Sequence, residues 1–327
     1  MTHARTFKKI LKILALPVIT FVAVGYASAL TISPAKVELG ANPGDIVEET
    51  FTIINEQSIE QTYYTSIENF EAQGESGTPN FTREKIGLAS WVDVTEKVVI
   101  KPGEKIKIPF KVKVPQDADA GGHFAAIFLS TVPPTSGENE VSVGAKIGML
   151  MMLRVSGDIK EEGGVLSFFL KGEKKLITTL PVDFIYRFNN NGGDRVKPTG
   201  DITVKNMIGM TTVSLNANKN EGNVLPGSIR RFEVRWGDED APATSASFFT
   251  FVKYEMRNFA LGVYSAKLNV TFGNSGSSVK SLYLFVFPWH LMVVVLVICL
   301  VIFALLRLAL KRYNAWIIKQ ARLASGK

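Results

Sequence analysis

Two apolar runs free of acidic residues bracket this chain, and each is bordered by Lys and Arg. Arg5, Lys8, Lys9 and Lys12 precede the first, while Arg307, Lys311, Arg312, Lys319, Arg322 and Lys327 close or follow the second. Removing these end residues leaves 27 of the 37 basic side chains against all 30 acidic ones, so the middle carries about −3 although the whole chain is +7. The basic excess therefore speaks of membrane topology and gives no reason to expect nucleic acid as a partner.

The second run, Pro288 to Leu310, holds 23 residues of which only His290 and Arg307 are polar. At about 1.5 Å per helical residue it is long enough for a hydrocarbon layer of roughly 30 Å, and a transmembrane helix is expected over 288–310. Pro288 suits a first turn, Trp289 and His290 suit the headgroup level, and Arg307 can reach the inner face beside Lys311 and Arg312. The first run, Ile10 to Tyr26, ends at Ala27-Ser28-Ala29, which has the small residues a signal peptidase requires; a signal peptide over 1–29 is expected, cut before Leu30. The positive-inside bias then puts residues 30–287 outside the cell and the basic tail, 311–327, in the cytoplasm as a single-pass protein. In that tail Tyr313, Trp316, Ile317 and Ile318 alternate with basic residues and are expected to lie along the anionic inner leaflet, so the lipid bilayer is one expected partner.

Cys299, the only cysteine, falls within the membrane run, so the exported region holds no disulfide. That favours a bacterial envelope over a eukaryotic secreted module.

Residues 30–287 show short alternating runs separated by Gly, Pro, Asn and Asp, the pattern of antiparallel sandwiches. Ile106, Ile108, Phe110, Val112 and Val114 alternate with Lys107, Lys111 and Lys113, giving one core face and one wet face. Pro109 sits on the wet side and points to an edge strand or a bulge. Phe232, Val234 and Trp236, and Leu268, Val270 and Phe272, repeat the arrangement. The fold class expected is all-β: two tandem immunoglobulin-like β-sandwiches, 30–156 and 157–287, followed by one transmembrane α-helix. Strands are predicted over 31–39, 46–55, 62–70, 97–100, 105–114, 123–131 and 141–155 in the first half. Those of the second are 166–170, 182–189, 200–206, 229–236, 262–272 and 279–287. No long helix is expected before the membrane.

Catalysis is hard to assemble from these residues, and no enzyme is expected. His123 is the one exported histidine away from the membrane, it precedes an apolar strand, and no G-x-S-x-G elbow accompanies it. No His/Cys cluster offers a zinc site; Asp117 with Asp119, and Asp238, Glu239 and Asp240, are oxygen-ligand groupings of a kind that holds Ca²⁺, but neither fits an EF-hand loop and loop solubility is the default reading. No metal or cofactor is expected. Trp91 is either a core residue, the commoner fate of Trp in a sandwich, or a ring face for a sugar. Tyr63 and Tyr64 must point to opposite faces of one strand, so one is core and Tyr64 becomes the contact candidate. Glu68, Asn69, Glu71, Gln73 and Glu75 are placed in or beside the following loop, as solvated residues or as hydrogen-bond partners for a glycan.

The opening Ile32-Ser33-Pro34-Ala35-Lys36-Val37-Glu38-Leu39 with Asn42-Pro43-Gly44, and the stretch Val114-Pro115 to Ala120-Gly121-Gly122-His123-Phe124-Ala125-Ala126-Ile127, resemble the WxL-interacting proteins of Gram-positive-type envelopes. That resemblance implies a first domain that binds peptidoglycan or another wall glycan and a second that meets an extracellular protein partner of the WxL-domain type. Tyr64, Trp91, His123 and Phe124 are the candidate ligand-binding residues; for Gly121 and Gly122 a structural turn is a sufficient account. The function expected is a membrane-anchored scaffold tethering wall and partner to the membrane. The alternatives are an accessory subunit that positions an envelope enzyme or export machine and, less favoured, a glycan hydrolase.

Overall fold

The computed structural model describes residues 30–133, 146–238, 240–243 and 245–326. The expected signal peptide, residues 141–145 of an expected strand, and Glu239 lie outside the described residues. The chain is mostly β-sheet with a C-terminal apolar helix, and it divides into two compact units. One runs to Asn69 and adds Thr82–Ala118 and His123–Val155; the other comprises Phe70–Phe81, Asp119–Gly122 and Ser156 onward.

The strands of the first half are β1 (Leu30–Ser33), β2 (Lys36–Ala41), β3 (Ile46–Asn55), β4 (Gln61–Gln73), β5 (Thr78–Thr82), β6 (Val92–Val94), β7 (Lys97–Ile100), β8 (Lys105–Lys113), β9 (Gly121–Ser130) and β10 (Lys146–Val155), with a short helix α1 at Leu88–Trp91. They form a sheet β1-β3-β8-β6 and a sheet β2-β10-β9-β4-β5, with β7 also on β4. Phe51, Ile53, Phe110 and Val112 from the first meet Tyr63, Ile127, Leu129 and Met151 from the second in one core. Each side chain so buried contributes roughly 1.5–3 kcal/mol of hydrophobic stabilisation. Asn55, fully buried, donates through Nδ2 to Ile59 O and Ile100 O at 2.9 and 3.0 Å and accepts from Gln57 N at 3.1 Å, so its amide organises two loops from inside the core.

Three expectations are corrected here. The strand predicted over 31–39 is two strands: β1 pairs antiparallel with β3, and β2 pairs parallel with β10 in the other sheet. Pro34 between them has no N–H to give to a ladder. Pro109 lies neither on an edge strand nor at a bulge, since β8 stands between β3 and β6 with continuous register to β3. The β6 pairing covers only Phe110 to Val112, so the flank beside Pro109 is unpaired and the missing N–H costs nothing there. The polar run Glu68 to Gln73 is not a loop but the far half of β4.

The second unit holds β11 (Gly163–Leu170), β12 (Leu176–Ile177), β13 (Val182–Asn190), β14 (Thr199–Asn206), β15 (Thr211–Asn216), β16 (Ser228–Trp236), α2 (Phe248–Arg257), β17 (Gly262–Phe272), β18 (Gly276–Val286) and α3 (Trp289–Ser325). Its sheets are β11-β13-β16 and β12-β18-β17-β14-β15. Phe184, Tyr186, Phe188 and Trp236 pack against Ile202, Val204, Leu268 and Val270 between them. The ring of Tyr186 stacks on Phe232 at 4.8 Å and its hydroxyl donates to Ala217 O at 3.0 Å. Burial holds that hydroxyl in its protonated form well above the usual range.

The second unit also holds a short helix that the strand pattern does not announce, the ten-residue α2; Ser247 caps it, its Oγ accepting from Thr250 N at 3.3 Å. The helix α3 runs on past Leu310 into the basic end. The helix continues to Ser325 because Lys, Arg, Ala, Gln and Leu are good helix formers and neither Gly nor Pro interrupts them before Gly326.

Candidate functional site

In the first unit, Asn69 builds the site that carries Trp91. It lies on β4 opposite Ala125 of β9, and its amide Nδ2 donates to Glu84 O and Ile86 O at 3.2 and 2.7 Å while Oδ1 accepts from Ala89 N at 3.0 Å. These three bonds hold the backbone before α1, whose Leu88 and Ala89 are buried, and leave Trp91 half-buried at its end. The Trp91 ring meets His123 of β9 at 4.6 Å with a 53° tilt. An indole with one side on the core and the other beside an imidazole offers a small amphipathic face, suited to packing against the C–H face of a sugar or an apolar side chain.

The four candidate ligand residues do not form one cluster. Strand alternation puts His123 on the side of β9 that carries the core residues Ala125, Ile127 and Leu129, together with Trp91. Tyr64 and Phe124 belong to the opposite side of the sheet. They are also distant from each other along it, because Tyr64 pairs with Ser130, and six residues of extended chain separate Ser130 from Phe124, about 20 Å. Tyr63, the partner of Tyr64 in sequence, is the core residue of the two, fully buried.

The polar residues of β4 and its turn are engaged inside the protein. Glu68, buried, accepts from Lys146 Nζ at 2.8 Å, and that ammonium lies 3.8 Å over the Phe128 ring. Glu71 accepts from Asn80 at 3.4 Å. Inside the second unit Glu75 takes a two-pronged bond from Arg187, through Nε at 2.8 Å and through Nη2, which holds its carboxyl below the usual range. The glycine pair also has a structural account. A Cβ on Gly121, at φ 133°, would sit 2.4 Å from Gly193 O, the oxygen to which Gly122 N donates at 2.9 Å.

A second polar constellation, missed in the sequence, joins α2 to the first turn of α3. Glu255 is 2% exposed. Its Oε1 lies 2.6 Å from His290 Nδ1 and accepts from Thr179 Oγ1 at 2.9 Å, while Oε2 accepts from Leu291 N at 2.8 Å. Pro288, at the N-cap of α3, makes no side-chain cap bond, so a carboxylate from another helix caps α3 instead and meets the positive end of its dipole. The His290 ring is stacked on Phe251 at 4.6 Å and lies 5.4 Å from Phe248, which closes the pair off from water. Thr179 bonds the carboxylate and not the imidazole, so the order nucleophile, histidine, acid is not met and the cluster is a clamp. The only sequence signal was Ser247 before a Phe-rich run, because Glu255 and His290 lie 35 residues apart.

Asp238 is bound by Arg257 through Nε at 2.8 Å and by Asn258 Nδ2 at 3.3 Å, and the guanidinium holds its carboxyl below the usual range. Among the described residues no group of three His, Cys, Asp or Glu is arranged to hold a metal ion. Residues Trp289–Ala321 are long and apolar enough to cross a membrane, and the apolar part of that helix is not buried in the protein.

No protein-family model matches the chain, and no curated protein matches it. Among solved structures it is similar to the class 5 fimbriae chaperone CfaA, at 15% identity over 77% of this chain and 98% of that one, with a TM-score of 0.38. It is also similar to the E. coli chaperone DraB, at 12% identity over 79% and 97% with a TM-score of 0.33, and to the Pseudomonas aeruginosa CupB2 chaperone, at 12% over 78% and 100% with a TM-score of 0.35.

Proposed function

We propose that this chain is a membrane-anchored scaffold of a bacterial cell envelope, with two immunoglobulin-like β-sandwiches outside the cell, α3 spanning the bilayer and the basic end inside. It tethers a wall glycan, through the first unit, and an extracellular protein partner of the WxL-domain type, through the second, to one point on the membrane. The observation that carries the reading is the junction: only Phe287 and Pro288 separate β18 from α3, and the buried Glu255 ties α2 to the first turn of that helix. A clamp of this kind serves a protein that must hold its outer portion at the bilayer. Trp91 beside His123 is the face offered to the glycan. The free edge β15, with alternate residues exposed, is offered to the partner by strand addition. Tethering raises the effective concentration of a weak wall-binding face, so modest affinity is sufficient.

Sedimentation of the full chain in detergent with purified peptidoglycan tests the wall arm. The reading expects co-sedimentation that Trp91→Ala weakens at least several-fold while the protein remains folded. Absence of co-sedimentation, or binding indifferent to Trp91, removes the glycan role and leaves the partner-positioning alternative.

A further inference from the structure

We propose that the second unit rests on the bilayer through a second contact besides α3: the turn Asn206-Met207-Ile208-Gly209-Met210, which dips into the outer headgroup and acyl boundary. The proposal rests on the reading that α3 spans a membrane. Its position follows from strand register. Asn206 pairs with Tyr264 and Tyr264 with Leu284, so the end of β14, the start of β17 and the end of β18 lie in one row. That is the end at which β18 runs into α3, and the β14–β15 turn projects from it.

The chemistry of the turn fits lipid. Met207, Ile208 and Met210 are 72%, 73% and 61% exposed, an unusual concentration of apolar side chains at the tip of a two-stranded turn. Four of its five amides are paired internally: Asn206 Oδ1 accepts from Ile208 N at 3.2 Å and Met210 N at 3.0 Å, Asn206 O accepts from Gly209 N at 2.9 Å, and Asn206 N donates to Met210 O at 3.0 Å. Each amide already paired is one that need not be stripped of water on entering the headgroup and acyl boundary, which lowers the cost of a shallow insertion. The neighbouring α2 repeats the signal: Phe249 and Met256, seven residues apart and thus on one helical face, are 76% and 64% exposed, on the helix that Glu255 ties to the start of α3. Continuity with the membrane helix selects lipid over a protein occupant.

The test uses the full chain carrying Cys299→Ser and Ile208→Cys, labelled with an environment-sensitive fluorophore and reconstituted into phosphatidylethanolamine/phosphatidylglycerol vesicles. A label at Lys219→Cys, beyond the opposite end of β15, and one on native Cys299 of the otherwise unaltered chain are the references. The expected result is blue-shifted emission at 208 that nitroxide carried on lipid headgroups quenches, with water-like, unquenched emission at 219. Water-like emission at 208 while the Cys299 label reports lipid overturns the proposal and leaves the anchor standing. A blue shift without lipid-borne quenching also overturns it and assigns the turn to contact with a second copy. Water-like emission from Cys299 overturns the anchor and the proposal together.

Discussion

Truncating Glu255 to Ala is the sharpest perturbation of the clamp at the foot of the second unit. The carboxylate is 2% exposed and serves three donors: His290 Nδ1, Thr179 Oγ1 and Leu291 N. In the variant the single hydroxyl hydrogen of Thr179 turns to Thr178 O, 2.8 Å away, so the imidazole and the helix amide are the groups stranded. At about 1–3 kcal/mol for each buried donor left unpaired, the loss is about 2–6 kcal/mol. For a unit of this size each kcal/mol moves the midpoint by roughly 2–4 °C, so a fall of about 4–24 °C is expected. The measurement is thermal unfolding of the full chain in mild detergent, followed by loss of its β-sheet circular dichroism. Glu255→Gln, which keeps an acceptor for one donor, is expected to lose about half as much, and His290→Ala to be non-additive with Glu255→Ala. A Glu255→Ala variant within about 0.5 kcal/mol of the parent, the range of an ordinary surface substitution, refutes the clamp.

Asn55→Ala removes the amide that joins Ile59, Ile100 and Gln57, and is expected to cost the first unit about 2–4 kcal/mol in chemical denaturation while the second unit's transition stays in place. Gly200→Ala, at φ 146° and with the new Cβ 2.0 Å from Asn269 O, must break the β14–β17 ladder locally; a loss above about 3 kcal/mol is expected, and a neutral variant contradicts the register. The Arg235 bond to Asp183, aided by the charges of Arg235 and Lys171, holds that carboxyl below its usual value. A depressed folded value means stability that is present above the unfolded value of about 4 and lost as pH falls through the folded one. Acid titration of Asp183→Asn is accordingly expected to show a shallower loss below about pH 4 than the parent; an unchanged slope counts against the pair.

The strands were most legible where one face is wet. In β8, β16 and β17 Lys, Arg, Glu, Asn or Thr alternate with residues the structure buries, and period two sets both the element and its inward side. Legibility failed where polarity belongs to the interior. Glu68 and Asn69 read as loop residues because their partners, Lys146 and the backbone at 84–89, are distant in sequence. The short edge strands β5, β6 and β15 lack an apolar face long enough to register. In α2 Glu255 interrupts what would otherwise read as an apolar stripe, and its reason for being there, the start of α3, lies 35 residues away. The ligand candidates suffered from the same limit: residue type nominates Tyr64, Trp91, His123 and Phe124, but only pairing register shows Trp91 with His123 on one face and the other two behind it.

Display of residues 30–287 outside the cell by α3 is the claim on which the rest stands, and protease added to intact cells measures it directly. The account predicts that this region is degraded while a short C-terminal fragment containing α3 stays in the membrane fraction. A full-length chain that survives until the membrane is permeabilised contradicts it.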